Sequence, residues 1–392
     1  MNFAALTEKA PAATDGLRQY TLKDLCLYFL RLGTTGFGGP VALVGYMERD
    51  LVESKRWFER DQFFRGLALA QLAPGPLAAQ LAIYLGYLKG RIKGATLAGI
   101  AFVMPSFVMV TTLGMLYVRY GGLAWMQALF YGIGAGIVGI IVRSAVKLSI
   151  ATLKHQTLLW ALFILSCAFT AWTKSENPWL ILSAGVIAML IYAPPSQLRL
   201  NHAIVSTATL FQALHPSEPG GLTQLFLFFV KAGAFVFGSG LAIVPFLYGG
   251  VVHEHRWLTE RQFLDAVAVA MITPGPVVIT VGFIGYLVGG FPGACIACLG
   301  VFLPVYLFVV LPAPYVERYA SNAHLRAFVS GITAAAIGAL AGAVVVLGQR
   351  TIADLPTLLI AAAALLLLVK FKIPEPVIVL LAAVTGLLLY LQ

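Results

Sequence analysis

Two stretches decide how this sequence is read: FLRLGTTGFGGPVALVGYMERDLVESKRWFERDQFFRGLALAQLAPGP at 29–76 and FVKAGAFVFGSGLAIVPFLYGGVVHEHRWLTERQFLDAVAVAMITPGP at 229–276. Set against each other at an offset of 200, with no gap, they agree at 16 of 48 positions. Shared apolar bias would match Leu and Val. It would not align Arg56, Trp57, Gln62, Phe63 and Pro74-Gly75-Pro76 with their mates 200 residues further on. One residue is then lost, and Gly86-Tyr87 matches Gly285-Tyr286, Gly94 matches Gly293, and Pro105 matches Pro304. The chain is an internal duplication, and its period sets the frame for everything else.

Composition gives the class of the duplicated unit. Of 392 residues, 60% are hydrophobic and only 11% charged, with a mean hydropathy of +0.89. That is too little charge to cover a water-soluble surface. Apolar runs split by short polar loops are the pattern of membrane-spanning helices. The net charge of +10 sits mostly in short loops beside apolar segments, where it sets orientation. Nucleic acid is not an expected partner; the lipid bilayer is. Residues 1–22 lack the apolar core of a signal peptide. The cysteines, Cys26, Cys167, Cys295 and Cys298, all fall in apolar segments. Cys295-x-x-Cys298 has no second pair or nearby His to complete a metal motif.

These patterns predict an all-α polytopic membrane protein. Residues 1–22 form an N-terminal tail, 23–193 the first transmembrane repeat, 194–221 a linker and 222–392 the second repeat. In the first repeat one apolar helix is expected at 23–47, interrupted at Gly36-Phe37-Gly38-Gly39-Pro40, then a charged loop at 48–61. Two short apolar pieces follow, 62–73 and 77–88, joined by Pro74-Gly75-Pro76. At 1.5 Å per residue each covers roughly 18 Å, short of a ~30 Å hydrocarbon core. They read as a re-entrant hairpin, tolerated where it is buried in protein or lines a watery cavity. Four further spans are expected near 95–118, 124–147, 156–173 and 178–193.

Each repeat then has about five transmembrane helices, an odd number, so tandem copies have inverted topology. Loop charges agree: Lys89, Arg91 and Lys93 follow the first hairpin, whereas Gly289-Gly290-Phe291-Pro292 carries no charge. Positive loops face the cytoplasm, which on this reading puts both termini outside.

Inverted repeats with broken helices meeting near the midplane are a secondary-transporter architecture. A helix opened by Gly or Pro exposes backbone N–H groups that attract anions. Candidate substrate-binding positions are therefore Gly36, Gly38 and Gly39 with Gly238, Ser239 and Gly240, and Pro74, Gly75 and Pro76 with Pro274, Gly275 and Pro276. The competing reading is that these glycines only permit close helix packing. Arg31 precedes the first break and its mate is Lys231. A cation within a span costs about 2.5–3.5 kcal/mol on insertion scales, although Arg31 is near enough to the helix start to snorkel. Gln71, whose mate is Met271, and Thr273, next to Pro274, are one-sided polar candidates. Asp265, whose mate is Arg65, is a candidate proton-coupling carboxylate or else a hairpin-base charge facing water. His253 and His255, two apart, do not converge on one helix face, and no metal site or cofactor is expected. No phosphate-binding loop or nucleophile elbow occurs, so no enzymatic activity is expected.

With the tandem repeat, the glycine–proline cluster, Trp-x-x-x-x-Gln-Phe (Trp57 to Phe63, Trp257 to Phe263) and the two Pro-Gly-Pro turns, the chain resembles the chromate ion transporter family in its long form of two fused halves. The second half departs at Phe237-Gly238-Ser239-Gly240, which lacks the proline. The resemblance implies export of chromate across a bacterial inner membrane, driven by the membrane potential or proton gradient and giving chromate resistance. It also brings in sulfate, a tetrahedral dianion of the same shape. Another oxyanion transporter, or an anion channel on the same scaffold, stays open. So does the oligomeric state, with a homodimer among the options.

Overall fold

The computed structural model describes residues 18–37, 39–120, 124–154, 156–173, 178–193, 221–235, 243–315, 322–352, 354–371 and 373–390. These are helical and connecting segments, with no strand among the described residues. In the first half the helices are α1 (Leu22–Thr35), α2 (Gly39–Met47) with a π-helical tail (Glu48–Ser54), α3 (Arg60–Leu72), α4 (Leu77–Tyr120), α5 (Ala124–Leu153), α6 (Thr157–Thr173) and α7 (Pro178–Tyr192). The second half repeats them as α8 (Leu222–Phe235), α9 (Ile243–Leu247) with a π-helical tail (Tyr248–Glu254), α10 (Glu260–Ile272), α11 (Thr280–Val310), α12 (Ala323–Thr351), α13 (Leu355–Lys370) and α14 (Glu375–Tyr390). Four stretches are long and apolar enough to cross a membrane: Leu77–Tyr120, Trp125–Ile150, Val277–Tyr315 and Ala323–Gln349.

The first apolar segment differs from the expected single span. After α1 the chain doubles back, so α1 and α2 lie antiparallel. Leu43 packs at Gly36, the Tyr28 hydroxyl donates to Asp50 at 3.3 Å, and Tyr20 stacks on Trp57 at 4.9 Å. The Arg18 amide donates to the Arg56 carbonyl at 3.0 Å. Pro40 explains the restart. It falls in the first turn of α2, where a missing N–H leaves no helical bond unmade. The expected loop at 48–61 is also partly helical, since residues 48–54 extend α2 as the π-helical tail. Residue 18 therefore lies at the same end as residue 56, and the expectation that a crossing separates them is overturned.

The repeated motif between the hairpins now has local causes. Arg56 and Arg256 both adopt positive φ, 52° in each. The following Trp57 and Trp257 amides donate to Leu51 and Val251 carbonyls, each at 2.8 Å, which ends the π-helical tails. Gln62 and Gln262 then close capping boxes at the starts of α3 and α10: the Glu59 amide donates to Gln62 at 3.3 Å and the Thr259 amide to Gln262 at 2.9 Å. Phe63 and Phe263 are fully buried behind them.

α3 and the first arm of α4 form the second hairpin. Gly66 lies flat against the Tyr84 ring, and Lys89 Nζ returns to within 4.0 Å of the Tyr20 ring centre. At the tips, Gly75 (φ +139°) and Gly275 (φ +97°) occupy backbone conformations that favour glycine. Beyond a kink at Gly90–Arg91, residues 92–120 run on as a helix of roughly 44 Å. Gly33 packs on the Phe102 carbonyl, so the α1 tip reaches only partway along it. The second half matches: Gly233 packs on the Val301 carbonyl, and the close glycine pair Gly86–Gly94 recurs as Gly285–Gly293.

The halves interlock. Gly132 on α5 sits under Ala382 and Gly386 of α14, while Gly331 on α12 sits under Ala184 and Ala188 of α7. Gly139 meets Ala361 of α13, and Gly338 meets Phe163 of α6. Each half's long fifth helix is thus clasped by the last two helices of the other. A buried cluster carries the same exchange, with Val110, Ile133, Ile137 and Ile140 of the first half packed among Phe229, Val251, Phe263 and Phe283 of the second.

Candidate anion site and its vestibule

The hairpin tips converge beside the middle of α4. The Gly275 amide donates to the Gly36 carbonyl at 2.9 Å, joining the Pro-Gly-Pro turn of one half to the glycine break of the other. Ser106 Oγ donates to the Pro274 carbonyl at 2.7 Å and lies 3.5 Å from the Gly33 carbonyl. A Cβ at Gly275 would collide with Ser106 Oγ. At the other Pro-Gly-Pro turn, Gln80 Nε2 donates to the Pro74 carbonyl at 2.8 Å and to Ala73 at 3.3 Å. Val305, the repeat mate of Ser106, packs against Gly75. Two polar side chains thus absorb the carbonyls that the turns leave free. The N–H groups that begin the helix at Leu77 stay at the tip, because the first helical bond there is made by the Gln80 amide to Pro76.

From the Gly36 tip a cavity of about 580 Å³ runs back between α1 and α2, lined by Asp24, Tyr28, Arg31, Thr35, Tyr46, Arg49, Asp50, Lys55 and Trp57. Its cations, Arg31, Arg49 and Lys55, outnumber its carboxylates, Asp24 and Asp50. Arg49 Nε pairs with Asp50 at 2.9 Å, and Lys55 Nζ sits 4.5 Å from the Trp57 ring centre. Arg31 is exposed to the cavity, and no carboxylate lies within ion-pair distance of it among the described residues. It lies five residues, roughly 7 Å of helical rise, before the tip.

Lys231 takes the matching place on α8 and is half-buried. It stands close enough to His255 to disfavour a second positive charge there. Burial first, and Lys231 after it, hold the His255 pKa below its ordinary value. Thr273 is buried with its hydroxyl turned back on the Val269 and Ala270 carbonyls of its own helix, at 3.1 and 3.2 Å. Gln71 is exposed at the end of α3. Gly39 begins α2, and Pro76 and Pro276 lead into the helices beyond the turns. Gly38, Gly238, Ser239 and Gly240 lie outside the described residues. Asp265 does not face water. It is 3% exposed and accepts a 2.6 Å hydrogen bond from Tyr117 of the other half.

The chromate transporter family model matches the chain twice, over residues 23–189 and 223–387. The chain belongs to the chromate transporter family. It is 59% identical over 376 residues to a chromate transport protein of Cupriavidus metallidurans, covering 95% of this chain and 94% of that one. It is 54% identical over 378 residues to a probable chromate transport protein of Synechococcus elongatus, at 95% and 96% coverage. A chromate transport protein of Pseudomonas aeruginosa is 32% identical over 385 residues, at 92% and 91%. No solved structure matches. The family and these relatives mark the chain as a membrane protein of chromate transport. Within this family member, sequence reading had not singled out Ser106, Gln80, Tyr117 or the vestibule residues Arg49, Asp50 and Lys55. For Ser106 the available signal was a hydroxyl after Pro105 in an otherwise apolar span.

Proposed function

We propose that this protein is a secondary active transporter that exports chromate across the bacterial inner membrane by alternating access, so giving chromate resistance. The observation that carries the reading is the Gly275–Gly36 junction. Helix breaks from both halves meet there, and a cation-lined vestibule leads to the meeting point.

The halves act as inverted repeats. Along α4, Ser106 meets the tip of the second half's hairpin at Pro274, Val110 meets Gly282, and Gly114 meets Tyr286 nearer its base. The first half's hairpins have their bases at the opposite end of α4, where Leu22 packs near Gly90 and Gly94. The arms of about 14 residues reach roughly 21 Å, short of a ~30 Å core, and so enter and leave on one side. The order of contacts supports inversion in place of the crossing count, because the α1–α2 fold-back removes one crossing from each half. The end bearing Arg18, Lys55, Arg56, Lys89, Arg91 and Lys93 faces the cytoplasm by the positive-inside rule. The vestibule therefore loads from the cytoplasm, as export requires.

Chromate binds between Arg31 and Lys231, with the N–H groups that open α2 from Gly39 and those that open the helices beyond Pro74-Gly75-Pro76 and Pro274-Gly275-Pro276 completing its surroundings. The Gly36 and Gly275 amides are spent on the Leu32 and Gly36 carbonyls. Gln71 and Thr273 flank this place, Thr273 through packing in view of its inward hydroxyl. Asp265, an intramembrane carboxylate with one hydroxyl partner, carries the coupling proton. Everted membrane vesicles test this: energised vesicles accumulate chromate, and Arg31→Ala and Lys231→Ala each cut accumulation severalfold at chromate concentrations below the parent KM. Unchanged uptake in both variants sinks the site. Flux that persists after the ion gradients and voltage are collapsed marks a channel, and equal competition by sulfate widens the substrate to tetrahedral dianions.

A further inference from the structure

The two halves share one backbone plan, yet they fill one region in opposite ways. In the first half that region is the water-accessible vestibule. At an offset of 200, Tyr28 becomes Phe228, Tyr46 becomes Phe246, Asp50 becomes Gly250 and Lys55 becomes His255. The backbone itself is conserved, since the tails Glu48–Ser54 and Tyr248–Glu254 are both π-helical. Along these tails the side chains make the difference.

In the second half the Phe228 and Phe246 rings stack at 5.5 Å. Trp257 meets Phe228 edge-on at 5.4 Å, and His255 stacks on Trp257 at 4.4 Å. Phe228 is 6% exposed. It reaches its place because position 250 is glycine; any Cβ there would collide with the ring. The first half holds the Asp50 carboxylate at the same point, hydrogen-bonded by Tyr28. The result is one wet mouth, at which Arg31 is exposed, and one packed with aromatic rings, behind which Lys231 is half-buried.

We infer that Phe228 and Phe246 form the far-side gate of the transporter, closed in this structure, and that their separation opens the path from Lys231 to the outside. This rests on the alternating-access reading above. A hydrated dianion does not pass stacked phenyl rings without shedding water it cannot replace, since neither ring donates a hydrogen bond. The rings are held by packing, which side-chain rotation can undo, and the polar groups beside them are the His255 imidazole and the Trp257 indole N–H. His255 contacts Gln224 at 3.3 Å and lies 4.0 Å from Glu254, and burial holds its pKa below the ordinary histidine value.

The experiment is thiol accessibility in the full chain purified in detergent, where reagent reaches both ends. Cys26, Cys167, Cys295 and Cys298 are replaced by Ala, and Arg31→Cys or Lys231→Cys is added. A charged, membrane-impermeant methanethiosulfonate is then applied. The expected result is that Lys231→Cys reacts at least ten-fold more slowly than Arg31→Cys. Adding Phe246→Ala to Lys231→Cys should bring its rate to within about three-fold of Arg31→Cys. Phe246→Leu, which keeps apolar bulk and guards against a folding defect, should leave it slow. Equal rates in the two single variants overturn the gate, as does a Lys231→Cys that stays slow after Phe246→Ala in protein that elutes as one sharp species. Because labelling does not depend on flux, an absence of chromate transport with the labelling asymmetry intact would count against the transport reading and not against the gate.

Discussion

Ser106, on the long α4 helix of the first half, donates a 2.7 Å hydrogen bond to the carbonyl of Pro274 in the second half. That hydroxyl joins the Gly275 amide on the Gly36 carbonyl in tying the two halves together at the tip. Its own repeat mate, Val305, has no hydroxyl and packs on the equivalent turn at Gly75, where Gln80 supplies the donor instead. The two turns are equivalent in shape and different in chemistry.

Removing that hydroxyl should be felt. Ser106→Ala leaves the buried Pro274 carbonyl without its donor, at a cost of about 1–3 kcal/mol. The expected outcome is a lower thermal midpoint in detergent and a reduced maximal rate of chromate uptake in everted vesicles. Ser106→Thr, which keeps the donor, should retain most of both. An unchanged midpoint in Ser106→Ala would show that the bond does not hold the tip.

Gly275→Ala should be worse, because it adds the strain of φ +97° to a collision with Ser106 Oγ. About 1–3 kcal/mol of backbone strain is expected in addition to the steric cost. The double variant Ser106→Gly with Gly275→Ala removes the collision and keeps the strain. Its stability should lie between that of Gly275→Ala and the parent, giving a coupling of at least about 0.5 kcal/mol in the double-mutant cycle.

Among the described residues no carboxylate pairs with Arg31, so on the proposed reading its removal takes charge from the anion path without orphaning a neighbour. Arg31→Ala should raise the KM for chromate at least ten-fold in vesicles, while Arg31→Lys should stay within about three-fold of the parent. A ten-fold change corresponds to about 1.4 kcal/mol of lost binding. The same loss in both variants would mean that shape, and not charge, is what position 31 supplies.

Asp265 and Tyr117 separate coupling from binding. Asp265→Asn keeps the size of the side chain and removes its titration. It should abolish uptake driven by a pH gradient while leaving chromate–chromate exchange across the same vesicles. Tyr117→Phe should shift the pH dependence of driven uptake without eliminating it. Loss of exchange in Asp265→Asn would assign that residue to the fold or the anion site.

His255 gives a pH signature of its own. Burial keeps its folded-state pKa below the ordinary histidine value, so folding favours the neutral ring. The stabilisation is complete above about pH 6.5 and declines as the pH falls through the unfolded value toward the folded one. The thermal midpoint should therefore drop on acidification through this range, and more steeply than in His255→Phe. Equal slopes in the two proteins would remove His255 from the account.

Much of this fold was legible in the sequence because apolar runs, capping residues and the repeat all register within a few residues of one another. Gln62 and Gln262 could be matched by eye, and their capping boxes follow from local chemistry. The fold-back of α1 on α2 was not legible in the same way. Gly36 and Pro40 announce that a helix stops, but the direction in which the next one leaves depends on contacts such as Arg18 with Arg56 and Tyr28 with Asp50. The vestibule was missed for a related reason: Arg49, Asp50 and Lys55 read as a charged loop, and only the π-helical tail turns them inward. Asp265 was ambiguous because sequence places a carboxylate near a helix start without saying which side chain from another element covers it.

The clasping of α5 by α13 and α14, and of α12 by α6 and α7, limits what either half can be by itself. A chain made of one half would expose the glycine face of its longest uninterrupted helix, including Gly132 or Gly331, to lipid. It could cover that face only by meeting a second copy inserted the other way up. On the inverted reading, such a half would need to enter the bilayer in both orientations in equal numbers. Fusion removes that requirement: every molecule carries one half of each orientation, and each is then free to vary, as Arg49 and Gly249 already do.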